Sequence, residues 1–438
     1  MTDNDNFLGH PKGFWIVAFV ELCERFSSLG IASIIILYMS DAIAKGGLGW
    51  ASAFAFTVLG VYRMASCVTA VPGGLIADRY LGARKSVTIG ALVCLVGDFI
   101  LSVPSEVAFF AGLVCLSIGG GFYKPNITTV LGRLYRPDDP HKEAAFTVFY
   151  LAVNIGSLIA GFAIGLLAKE FGWRSGFMLA GGVLLLGQIV YFFGQRYLRQ
   201  TDAVAKKTIA AASEKVPLSP AEKRRIWVLL FAFFVVIVFM IAYDQFSGLM
   251  PVYIEHSTNR MIGSFEVPTP WYTTLNPFIV IVFAPLFAAL WTFLGKLKRD
   301  PSAMVKMGLG VVVLGLAFSF MVFAVFQRDA APDHLSSMVW IILVYFFCTM
   351  GELLQSPVAL SFITSAAPAR MTSQMMGWYI AASGVSCFLA AKIGSLAENF
   401  GELKVFTALL VLTTGVGLVQ LLFAGKIMRL MDEKDSEA

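Results

Sequence analysis

The sequence predicts an all-α membrane protein whose twelve transmembrane helices form two six-helix halves, and three observations predict it. Of 438 residues, 58% are hydrophobic and only 14% charged. With a mean hydropathy of +0.76, the chain lies outside the range of soluble domains. Apolar runs of about 20 residues, enough to cross about 30 Å of hydrocarbon, fall at 14–40, 51–77, 86–103, 107–131, 144–168, 174–197, 226–254, 272–295, 303–327, 336–365, 373–397 and 403–428. Between the sixth and seventh runs, Thr201 to Arg225 is polar, alanine-rich and basic, with Pro217 and Pro220 as breakers. The expected organisation is therefore a bundle over 1–198, a cytoplasmic linker over 199–225 and a second bundle over 226–438. Two such halves around a midplane site are the repeat architecture of secondary transporters.

The first run follows a mostly polar stretch, is too long for a signal peptide and has no cleavage site, so its helix is expected to stay in the mature chain. It contains ELCERFSSLG. Glu21 precedes Arg25 by four residues, the better orientation for a helical ion pair, and Glu24 lies three residues from Glu21. The three charges share one face, which faces a wet cavity rather than lipid because ions in hydrocarbon cost several kcal/mol. Two carboxylates around one guanidinium let one acid take a proton while the other holds the cation.

The second run carries Tyr62 and Arg63, in GVYRMAS, and leads into GGLIADRYLGARKS, where paired glycines suit close helix contact and Arg79, Arg84 and Lys85 face the cytosol beside Asp78. The third holds Asp98, for which the sequence names no partner. In the fourth, GGGFYKPN combines close-packing glycines, a Pro125 that removes a backbone hydrogen bond, and the intramembrane ammonium of Lys124. The fifth contains Asn154, the seventh Asp244, the eighth Asn276, the tenth Glu352 with Ser356, and the eleventh Trp378. An intramembrane asparagine can bind ligand or merely bridge helices.

Sidedness follows from the 33 lysines and arginines. With the amino terminus inside, the outer face receives only Lys45, Lys169, Arg174, Arg260, Arg328, Lys392 and Lys404, so both termini are expected in the cytoplasm. Arg25, Arg63 and Lys124 remain intramembrane. The net charge of +5 is distributed by topology, which argues against nucleic acid as a partner. Six cysteines lie in predicted helices without metal-ligand spacing, and no histidine lies in a helix interior, so carboxylates carry any proton coupling. No catalytic cluster or nucleotide-binding loop is present, and an enzyme is not expected.

Gly73 to Ser86 resembles the signature loop of the major facilitator superfamily, an acidic-basic latch on the cytoplasmic side. ExxERF at Glu21 to Phe26, FYKPNITTVLGRLY at Phe122 to Tyr135, AFTVFYLAVNIGSLIA at Ala145 to Ala160 and GELLQSPVALS at Gly351 to Ser361 together resemble the proton-coupled oligopeptide transporter family. YDQFSG, NPFIVIVFAPLFAALW and QMMGW add to the likeness, in the family's order. The resemblance implies a proton-coupled symporter that imports di- and tripeptides or peptide-like zwitterions by alternating access, with protons as coupling ion and no other cofactor. A carrier or exporter of amino-acid, amine or drug-like solutes is the alternative. It implies a bacterial inner-membrane protein that functions as a monomer in the lipid bilayer.

Residue by residue, the resemblance assigns proton coupling to Glu21, Glu24, Arg25, Lys124 and Glu352, with Lys124 and Glu352 pairing between the halves. A peptide carboxylate falls to Arg25 and Lys124, its amino terminus to Glu352, and further contacts to Tyr62, Asn154, Asn276, Ser356 and Trp378. Gating falls to Asp78, Arg79 and Arg84. The chain departs from the pattern at Ser28 and Leu29, where two tyrosines are usual, at Cys67 for another tyrosine, and at Trp378, shifted by one position. Ala32 stands in place of an arginine expected to pair with the acid matched by Asp244. Arg63 lies at a compatible depth and is expected to replace that partner in an outer gate; the alternatives are helix carbonyls or Asp98.

Overall fold

A computed structural model describes residues 6–7, 10–135, 141–198, 219–368 and 372–432. Helices make up nearly all of it: α1 (Lys12–Ser40), α2 (Ser52–Val68), α3 (Ala70–Ile76), α4 (Ala83–Leu101), α5 (Glu106–Arg133), α6 (His141–Phe171) and α7 (Trp173–Leu198). After the linker come α8 (Pro220–Tyr243), α9 (Leu249–Ser257), α10 (Thr269–Thr273), α11 (Leu275–Lys296), α12 (Ala303–Ala330), α13 (Met338–Ala366), α14 (Thr372–Phe400) and α15 (Glu402–Asp432). α2–α3, α8–α9 and α10–α11 are each one crossing in two pieces, so the described residues supply the twelve crossings expected. Ten of these are long and apolar enough to span on length and composition alone. The other two, α1 and α4, carry their charges inside the helix: Glu21, Glu24 and Arg25 in one, Arg84, Lys85 and Asp98 in the other.

The breaks have one cause. A proline ring excludes the carbonyl four residues earlier and offers no N–H to it. Helix is interrupted at Thr69, Gly248 and Thr274, three residues ahead of Pro72, Pro251 and Pro277. At the first break the Thr69 hydroxyl donates to Ala65 O at 2.9 Å and to Ser117 O of α5 at 2.6 Å. Pro125, Pro285 and Pro357 lie within unbroken helices. α8 starts with a capping box: the Ser219 hydroxyl accepts from Glu222 N at 3.2 Å, and Glu222 Oε2 accepts from Ser219 N at 2.9 Å.

The chain forms two compact units. One comprises described residues within 1–50 and 65–214, the other those within 51–64 and 215–438. This differs from the expected boundary at 198: residues 51–64, the first part of α2, pack with the second unit. Small residues permit it, since a Cβ on Gly60 would lie 2.6 Å from Ala391 Cβ and one on Gly394 3.2 Å from the Phe56 ring. Lys392 Nζ donates to Thr57 Oγ1 at 3.3 Å. Within the first unit α4 packs along α5, and α1 along α6 and α7; within the second, α12 packs along α13 and α15, and α8 along α14 and α15. A single glycine links the last two crossings of each unit: Gly172 and Gly401, both at φ +83°, each follow a phenylalanine. That left-handed conformation is costly for a residue with a Cβ.

Of the paired glycines after α2, only one serves close approach. A Cβ on Gly73 would sit 2.2 Å from Gly121 O of α5, whereas one on Gly74 meets nothing within 4 Å. Gly73→Ala is therefore expected to lower thermal stability in detergent by about 1–3 kcal/mol, the range for overpacking. Gly74→Ala should leave it unchanged or raise it slightly, because alanine is the better helix former. Equal effects of the two substitutions would show that the α3–α5 contact is not close-packed.

Candidate functional site

In the first unit the charged face of α1 is buried. Arg25 Nε lies 2.6 Å from Glu21 Oε1 and 3.1 Å from Glu24 Oε2, with both acid side chains below 5% exposed. The i,i+4 spacing sets the Glu21–Arg25 pair, and α6 and α7 cover α1. Tyr123 of α5 is fully buried beside Glu21, a neighbour that sequence reasoning missed. One turn beyond Glu24, Ser27 Oγ donates to Asp98 Oδ2 at 2.6 Å, so Asp98 of α4 is tied to α1 rather than to Arg63. Lys124 is exposed on α5, where its ammonium makes no ion pair among the described residues. Asn154 is buried and donates to Tyr150 O on its own helix at 2.9 Å, which leaves its carbonyl oxygen as the group for a ligand.

In the second unit Glu352 of α13 anchors a polar cluster. Its Oε2 accepts from Tyr243 Oη at 2.8 Å and from Asn276 Nδ2 at 2.7 Å. Asn276 Nδ2 also reaches Thr349 Oγ1 at 3.0 Å, and Thr349 donates to Tyr345 O at 2.7 Å. Oε1 of this half-buried carboxylate has no hydrogen bond among the described residues, so it can accept an ammonium. Of these, Tyr243 and Thr349 escaped the sequence reading, although Tyr243 stands beside Asp244 within YDQFSG. Ser356 Oγ donates to the neighbouring Gln355 Oε1 at 3.1 Å, and Trp378 is 49% exposed. Tyr62 is half-buried in the 51–64 segment.

Arg63 Nη1 and Asp244 Oδ1 are 3.2 Å apart and mostly buried, at 20% and 16% exposed. Asp244 begins the 3-10 turn that ends α8. The pair therefore bridges α2 and α8 inside the second unit. In the first turn of α4 Arg84 Nη1 donates to Gln195 O of α7 at 3.3 Å, where a cation meets the carbonyl-rich end of a helix. Arg79 is exposed, and the Asp78 side chain lies outside the described residues.

Residues 15–391 match the sequence model of the Major Facilitator Superfamily. The chain is 29% identical to the uncharacterized transporter YclF of Bacillus subtilis, over 97% of this chain and 96% of the relative. It is 27% identical to a di-/tripeptide transporter of Lactococcus lactis, over 98% of each. Among solved structures it is similar to the peptide transporter POT in complex with sulfate, with a TM-score of 0.90 and 26% identity over 98% of this chain and 97% of that one.

Proposed function

The chain belongs to the Major Facilitator Superfamily and, within it, to the POT family, and from that premise we propose that it is a proton-coupled symporter importing di- and tripeptides or peptide-like zwitterions by alternating access. The observation that carries the reading is Arg25 held by two buried acids at once. A proton on either acid removes one of the two charges that hold the guanidinium, and one on Glu21, which also accepts its hydrogen bond, frees a donor for a substrate carboxylate. Lys124 supplies a second cation for the carboxylate. Glu352, with Oε1 open and Oε2 fixed by Tyr243 and Asn276, receives the amino terminus. Lys124 and Glu352 exchange partners between substrate and one another during the cycle.

Arg63 and Asp244 form the outer gate in place of the arginine absent at Ala32, and Arg79 and Arg84 serve the cytoplasmic latch. The protein sits in the bacterial inner membrane with both termini cytoplasmic, works as a monomer, uses protons alone as coupling ion and performs no chemistry on its cargo. Losing phenolic rings at Ser28, Leu29 and Cys67 favours peptide-like ligands recognised by their two charged ends over ones held by their side chains.

Uptake into proteoliposomes under an imposed pH gradient tests the reading. The wild type should accumulate dipeptide against its gradient, and no accumulation of any peptide or amino-acid zwitterion would overturn it. Glu352→Gln should weaken ligands with a free amino terminus more than their acetylated analogues, by roughly 1.5–3 kcal/mol for a charge-assisted hydrogen bond. Equal losses for both ligand sets would show that Glu352 does not read the terminus.

A further inference from the structure

We propose that the groove between the start of α8 and the end of α15 binds an anionic glycerophospholipid, with its phosphate on Arg224 and Lys426 and an acyl chain against the apolar lining. The groove holds about 420 Å³ and is lined by Trp227, Phe231, Phe423 and Leu430 together with those two cations. Lys223, Arg225 and Arg429 lie exposed on the same helix ends, while Glu222 is engaged in the α8 capping box. Basic pockets between membrane helices at the cytoplasmic side are suited to acidic headgroups, and indole and phenyl rings to the chain below them.

The occupant follows from the combination. A soluble anion gains nothing from an apolar wall, and a neutral lipid gains little from two cations. A contrasting groove of about 310 Å³ lies where α14 meets α15, with Phe400, Val405, Leu409 and Leu412 in its lining but Lys404 as its single cation. It offers the same hydrocarbon contact without a paired positive mouth. Placing the first groove in the cytoplasmic leaflet rests on the orientation proposed above; binding itself does not, so labelling of the termini from either side separates the two.

The test is a lipid titration of the purified full-length protein in detergent, read by native mass spectrometry, with phosphatidylglycerol and phosphatidylcholine of matched chains. At about fivefold per basic residue, wild type should prefer phosphatidylglycerol by about 25-fold. The double variant Arg224→Gln, Lys426→Gln should lose the preference while keeping its phosphatidylcholine affinity, and Lys404→Gln should change neither. Leu430→Trp, which fills the groove without altering charge, should weaken both lipids. Equal affinities in the wild type, a preference that survives the double variant, or displacement of the lipid by inorganic phosphate would overturn the proposal.

Discussion

Glu21→Gln or Glu24→Gln is expected to abolish uphill uptake driven by a pH gradient while counterflow exchange continues. Arg25 stands 2.6 Å from one carboxylate and 3.1 Å from the other, so each acid has a partner while the other is free to load. A glutamine keeps shape and hydrogen-bonding reach but cannot take up and release the proton, so the gradient no longer performs work on the cargo. Exchange of labelled for unlabelled substrate needs only reorientation of the loaded carrier, which the substitution leaves in place. Retained accumulation against a gradient in both single variants would rule the coupling role out. Loss of exchange as well would point to a merely structural triad.

Charge reversal at Arg63 and Asp244 should produce the second large effect. Arg63→Asp and Asp244→Arg each leave two like charges facing one another where water is scarce, and removing a partner from a buried pair costs about 3–5 kcal/mol. Residual exposure of 20% and 16% moderates that figure. Each single variant should lose most transport, and the double variant, which restores opposite charges across the same gap, should recover part of it. Additive losses would show that the two do not interact in the working cycle.

What could be read in the sequence was what short spacing or membrane depth determines. The triad follows from offsets of three and four residues on one helix. The Arg63–Asp244 contact follows from two intramembrane charges at matched depth, one of them left over by Ala32. The hydrogen bonds of Ser27 to Asp98 and of Tyr243 to Glu352 were not legible, because they join helices 71 and 109 residues apart and hydroxyls carry no sign to pair by. Prolines were legible as disruptions but not as breaks. Pro72 divides its helix where Thr69 finds Ser117 O on α5, whereas Pro125 is carried inside α5; the difference lies in neighbours that no local pattern displays. The placement of residues 51–64 with the second unit rests likewise on small residues at Gly60, Ala391 and Gly394 meeting across distant sequence.

The one-residue links at Gly172 and Gly401 bear on how the chain is made. A single residue reaches at most about 3.6 Å, too little for one helix to settle in the bilayer while the next waits in water. The last two crossings of each unit are therefore expected to insert together, as one helical hairpin rather than as independent spans. The paired helices hold 31 and 26 residues in one unit and 29 and 31 in the other, so each hairpin is complete only once the second helix of its pair has been made.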